Sequence, residues 1–139
     1  MKYLATTAVL FALTLPAFAQ GDAAAGEKTF KKCKSCHSIT DASGEKLVKG
    51  GKVGPNLFGV IGRAAGSYEG YKYSKSMVAA GEAGLVWDEA KVAEFVQNPK
   101  DYLAAELDDS KAKSKMSFKL KKGGEDVAAY LATFSAPAD

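Results

Sequence analysis

Apolar side chains along this 139-residue chain fall into short stripes separated by long polar, glycine-rich stretches. The first stripe is the least interrupted: Leu4 to Leu15 is apolar apart from its threonines. Beyond it the spacing becomes that of short helices. Asp22 stands where it can cap a helix from Ala23 to Lys32, with Gly26 and Phe30 one turn apart on one face. Residues 38–70 show no period-2 run of β-branched residues and carry Gly50-Gly51 and Gly54-Pro55-Asn56, which predicts loop rather than strand. Ser74 to Ala80 predicts a short helix stopped at Gly81. Asp88 caps a clearer one, with Trp87 stapling onto Val92 and an apolar face of Val92, Phe95 and Val96 that ends at Asn98-Pro99. A short helix follows through Leu103, and Glu125 to Phe134 form a last helix with Val127, Tyr130, Leu131 and Phe134 on one stripe. With no repeat and no linker, the reading is a small all-α domain with long irregular loops. Loops bury little apolar surface by themselves, so the pattern implies that a bound group fills the middle.

The amino-terminal stripe changes the length available to that domain. Lys2, the apolar run, Pro16 and the Ala17-Phe18-Ala19 site make a cleavable signal peptide over residues 1–19, because the run is short of the roughly 20 residues needed to span a bilayer. The expected mature chain is residues 20–139, one domain placed outside the cytoplasm, in a periplasm. Mean hydropathy of −0.13 and a 47% hydrophobic fraction exclude a wholly disordered chain. The sharper limits come from rare residues: two Cys, one His, one Trp, three Met and a single Arg. That stock is too small for a zinc cluster plus a catalytic histidine, or for a disulfide scaffold.

Cys33-Lys34-Ser35-Cys36-His37 is the attachment pattern of c-type haem. Two thiols one helical turn apart reach the two vinyl groups of a porphyrin as thioethers, and the adjacent histidine comes up under the iron. A thioredoxin-type redox pair would need a βαβ unit, which is missing, and zinc would need ligands that the chain does not have. His37 is the sole histidine, so a bis-histidine haem is excluded. Met1 leaves with the signal, and Met77 and Met116 compete for the sixth position. Met77 sits among Val78, Ala79 and Ala80, where a core role is natural. Met116 lies in the polar run from Lys111 to Lys119, where a thioether needs a reason; it is the predicted ligand. A soft thioether favours reduced iron, and two protein ligands close the iron to substrate, which suits outer-sphere electron transfer rather than oxygen chemistry.

From Gly26 to Leu131 the chain resembles the class I cytochromes c, most closely the bacterial cytochrome c2 branch, which is similar to mitochondrial cytochrome c. The motifs fall in family order. Gly26 and Phe30 match the first-helix contact with the last helix, here Val127 and Tyr130, and Gly54-Pro55-Asn56-Leu57 resembles the family's turn. The resemblance implies the cytochrome c fold, in which terminal helices pack together and long loops wrap one covalent haem. It implies that the Pro55 carbonyl accepts a hydrogen bond from His37 Nδ1, raising the ring's basicity. It also implies that Arg63, Tyr73, Trp87 and Ser114 surround the haem propionates. Phe95 departs from the pattern: many relatives have there a tyrosine whose hydroxyl approaches the methionine sulfur, so the Fe–S bond strength does not carry over.

Charge sharpens the expected partners. Without Lys2, 18 basic residues face 16 acidic ones, a net charge of only +2, but the pattern is segregated. Lys28 to Lys52 holds seven lysines and two acids, Lys111 to Lys122 six lysines and no acid, and Glu82 to Asp109 eight acids and two lysines. The basic segments carry the predicted iron ligands, so a lysine-rich haem edge would steer the molecule to acidic docking surfaces. Nucleic acid is not expected, since no aromatic-basic platform appears. The resemblance implies a monomeric carrier that takes electrons from a cytochrome bc1 complex to a photosynthetic reaction centre or a terminal oxidase. The alternative is a haem enzyme or ligand sensor with a labile sixth site.

Overall fold

The computed structural model describes residues 20–135, so the signal-peptide expectation for residues 1–19 lies outside the described residues. Five helices and one small hairpin follow in the order α1 (Ala23–Phe30), β1 (Ile39–Thr40), β2 (Lys46–Val48), α2 (Lys75–Glu82), α3 (Glu89–Phe95), α4 (Pro99–Leu107) and α5 (Gly124–Ala132). Each of the first four helices starts where a short polar side chain satisfies free amides of the first turn. Asp22 accepts from the amides of Ala24 and Ala25, Ser74 from Met77, Asp88 from Lys91 and Asn98 from Asp101. Pro99 at the start of α4 needs no amide partner there.

The structure departs from the sequence reading in five places, one of them α5, which runs from Gly124 to Ala132 rather than from Glu125 to Phe134. Residues 39–48 form an antiparallel hairpin instead of loop, with Ile39 opposite Val48 and Thr40 opposite Lys46. Its turn is held by the Asp41 carboxylate, which accepts from the Ser43 hydroxyl at 2.6 Å and from the amides of Ser43 and Glu45 at 2.9 and 3.0 Å. Helix α1 ends at Phe30 rather than Lys32, because the chain tightens into successive turns towards His37. Helix α2 continues through Gly81 to Glu82. Helix α4 runs past Leu103 to Leu107, and Asp108 ends it in the left-handed region at φ 49°.

The terminal helices pack against each other as the resemblance implies. Phe30 and Tyr130 rings meet at 5.5 Å, and the Asp22 amide reaches across to the Asp126 carboxylate at 2.8 Å. Gly26 makes this approach possible: a Cβ there would overlap the Asp126 carbonyl and lie 2.8 Å from Tyr130 Cβ. Alanine would gain about 1 kcal/mol of helix propensity. Forcing the backbones apart costs about 1–3 kcal/mol, towards the upper end because the obstacle is main chain. Gly26→Ala is therefore expected to lose about 1–2 kcal/mol in denaturant unfolding, and an unchanged midpoint would contradict the contact. Helix α3 packs on α5, and Trp87, Phe95 and Tyr102 form an aromatic group with ring centroids 5.0, 5.7 and 5.9 Å apart.

Candidate functional site

The turns after α1 place Cys33, Cys36 and His37 together. The Cys33 amide donates to Phe30 at 2.8 Å, and the Cys33 carbonyl accepts from Cys36 and His37 at 3.2 and 2.9 Å. This helical pitch brings the two thiols one turn apart, and both line the same cavity as the His37 ring. They are not joined in a disulfide. Burial, then the neighbouring Cys36, pushes the Cys33 thiol up to about 11, with Lys32 opposing. The chain around the two thiols has no βαβ unit among the described residues, so the topology does not support the thioredoxin reading.

Residues 50–55 close over these turns from outside. Gly51 donates to Lys34 and Gly54 to Cys36, each at 2.8 Å. A Cβ at Gly50 would overlap the His37 carbonyl, one at Gly51 the Ser35 carbonyl, and one at Gly54 would lie 2.7 Å from His37 Nδ1. The close approach sets the imidazole: His37 Nδ1 donates to the Pro55 carbonyl at 2.8 Å, as the resemblance implied. Nε2 makes no hydrogen bond to any described residue. Burial holds the ring's pKa below its ordinary 6.5, the Pro55 bond opposes this, and the Arg63 charge adds to it. The neutral, ligating form is the one favoured near neutral pH.

The cavity has a volume of about 280 Å³, close to the lower end of the roughly 300–1,000 Å³ typical of cofactor clefts. Phe30, Leu57, Val60, Val92, Phe95 and Leu131 contribute apolar wall. Met116 reaches it from the irregular segment after α4, where Ser114 Oγ accepts from the Met116 amide at 3.1 Å and donates to its carbonyl at 3.0 Å. Met77 packs against the core as expected and reaches the cavity wall as well. Arg63, Tyr73, Trp87, Pro55 and Ser114 all line the cavity too, so every predicted site residue converges on it. Tyr71, which the sequence did not single out, joins them and meets Tyr73 edge to face at 4.8 Å.

Arg63 tests what the cavity suits. Its guanidinium donates to the carbonyls of Asn56 and Phe58 at 3.1 and 3.3 Å and lies 5.1 Å over the Tyr68 ring. Burial lowers its pKa, and no carboxylate pairs with it among the described residues, whose one ion pair is Lys91–Asp88. A half-buried cation without a counter-charge is costly, and an acidic group entering the cavity would relieve it. Among the described residues no three His, Cys, Asp or Glu side chains gather to hold a bare metal ion. An apolar slot with two thiols, a neutral imidazole and an unpaired guanidinium fits a porphyrin carrying acidic substituents. A small protein organised in this way belongs among the c-type cytochromes.

Comparison with known proteins agrees. No family model matches the chain. It is 58% identical over 133 residues to cytochrome c-551 of Roseobacter denitrificans, covering 94% of this chain and 95% of that one. It is 56% identical over 135 residues to cytochrome c2 of Rhodobacter capsulatus, covering 96% and 98%. Among solved structures, ferric cytochrome c-550 of Paracoccus versutus superposes with a TM-score of 0.81 at 49% identity, over 84% of this chain and all of that one. The chain belongs to the bacterial cytochrome c2 family. It has the cytochrome c fold, carries one covalent c-type haem, and is a haem electron-transfer protein rather than an enzyme.

Proposed function

We propose that the protein is a soluble periplasmic shuttle that takes electrons from a cytochrome bc1 complex to a photosynthetic reaction centre or a terminal oxidase. Cys33 and Cys36 would hold the haem as thioethers, and His37 and Met116 would ligate its iron. When bound, the haem supplies a reversible one-electron couple at its iron. The chain's own residues do the rest. The Pro55 carbonyl fixes the imidazole plane through Nδ1, leaving Nε2 for the iron. Arg63, Tyr73, Trp87 and Ser114, which line the cavity, would surround the propionates, with Arg63 supplying the counter-charge. The apolar wall excludes water, which keeps the reorganisation on electron transfer small.

The observation that carries this reading is the convergence of Cys33, Cys36, His37 and Met116 on one apolar cavity. The same cavity has an open rim, lined by Val53 and Phe118, which are 72% and 43% exposed. An electron can leave there by contact without the iron meeting solvent. No helix of the described residues is long and apolar enough to cross a membrane, consistent with a diffusing carrier. Lysines near the rim, among them Lys32 and Lys115, give the steering charge. The rate of reduction by bc1-containing membranes is expected to fall roughly tenfold between about 10 and 200 mM ionic strength. A rate indifferent to salt would overturn the charge-steered shuttle.

A further inference from the structure

Arg63 is the one arginine of the chain, and it brings its charge to the wall of the haem cavity. Two of its five N–H donors are taken by the carbonyls of Asn56 and Phe58. The guanidinium carbon lies 5.1 Å from the centre of the Tyr68 ring, close enough for a cation–π contact. Tyr68 is half-buried but does not line the cavity itself, whereas Tyr71 and Tyr73 do. The Tyr68 hydroxyl accepts from Asn56 Nδ2 at 3.4 Å. Asn56 is fixed in its turn: its side chain accepts from the amides of Thr40 and Phe58 at 2.9 and 3.1 Å and donates to the Thr40 carbonyl at 2.7 Å. One residue thus holds Arg63 through its main-chain carbonyl and Tyr68 through its side-chain amide.

We infer, on the reading of Arg63 as the propionate counter-charge, that Tyr68 is a positioning residue for electron transfer: its ring holds the guanidinium in the cavity wall and so sets the potential at which the iron takes its electron. A cation near the iron favours the ferrous state, which carries one positive charge fewer. The effect grows as water is excluded from the space between them. A guanidinium on a flexible stem otherwise turns its head towards water. The carbonyls of Asn56 and Phe58 hold two of its edges, and the Tyr68 ring holds its face. An aromatic face restrains the cation without disarming it. The ring takes no N–H, so three donors remain for an acidic group, and its neutrality leaves the charge of the cation uncancelled. A carboxylate in the same place would occupy those donors and neutralise the charge.

Spectroelectrochemical titration of the holo-protein tests this. Arg63→Gln is expected to lower the equilibrium constant for reduction roughly tenfold, which is 59 mV for one electron. Tyr68→Leu is expected to lower it roughly threefold, while Tyr68→Phe, which keeps the ring, changes it by less than about 1.5-fold. In the double variant Arg63→Gln with Tyr68→Leu, loss of the tyrosine is expected to add nothing, because it acts through the arginine. The sole arginine allows a second, chemical readout. Phenylglyoxal, an arginine-selective dicarbonyl, is expected to label Arg63 several-fold faster in Tyr68→Leu than in the wild-type protein or Tyr68→Phe. A retained methionine-to-iron band shows each variant to be folded around its haem. A wild-type potential in Tyr68→Leu, a Phe variant as low as the Leu variant, additive losses in the double variant, or equal labelling would overturn the inference. An unmoved potential in Arg63→Gln would overturn the counter-charge reading itself, and the inference with it.

Discussion

Met116→Ala is expected to abolish the weak methionine-to-iron absorption of the ferric protein and to let carbon monoxide bind the ferrous form within mixing time. An internal ligand that leaves the iron free about one part in a thousand weakens an external ligand by that factor, so its removal raises carbon monoxide affinity roughly a thousandfold. The segment itself should survive. Ala112 and Leu120 anchor it on either side of Met116, both buried, and the Leu120 amide donates to Val96 at 2.7 Å. Met77→Ala is the decisive companion, because Met77 reaches the same cavity from α2. Its spectrum is expected to keep the band. The reverse pair of results would exchange the two roles, and an open iron in the unmodified protein would revive the ligand-sensor alternative. Phe95 makes the comparison cleaner: its buried ring lies 5.0 Å from Trp87 and 5.7 Å from Tyr102 and brings no hydroxyl to the ligand.

Replacing Cys33 and Cys36 together by alanine is expected to leave the haem-free chain largely unfolded. Without the haem, the apolar walls of a cavity of about 280 Å³ lose their packing partner and stand open to water. The whole stability of a small domain is only about 5–15 kcal/mol. The half-buried Arg63 charge adds to the loss, since no carboxylate among the described residues pairs with it. The haem thus contributes as core and counter-ion together, and binding to the folded state alone carries its free energy into stability. Far-ultraviolet circular dichroism through a thermal scan measures this. A sigmoidal, cooperative transition in the haem-free double variant would show that the chain folds without its cofactor.

What could be read from the sequence was what depends on near neighbours. Asp22 and Asp88 cap helices because the amides they satisfy lie within three residues. The His37–Pro55 bond spans 18 residues and was legible only through the resemblance. The hairpin at residues 39–48 was missed because its strands have two and three residues, too few to show a period. Its turn is made by a side chain, Asp41, rather than by a glycine pair. The extension of α4 to Leu107 escaped notice because Asp108 ends it in a conformation usually taken by glycine. The Tyr68 ring over Arg63 was hidden for a different reason. Tyr68 and Asn56 are 12 positions apart, and Tyr68 belongs to no motif. Reading along a chain cannot see a junction formed by folding.

The glycine-rich segment that closes over His37 divides into two kinds of position. At Gly50, Gly51 and Gly54 the backbone lies against the attachment turn, and a Cβ has no room. At Lys52 and Val53, between them, the side chains face solvent. Inheritance can therefore redraw the rim at those two positions, altering what a partner meets beside the haem, without disturbing how the imidazole is held. The loop separates the freedom to choose a partner from the obligation to hold a ligand, within six consecutive residues.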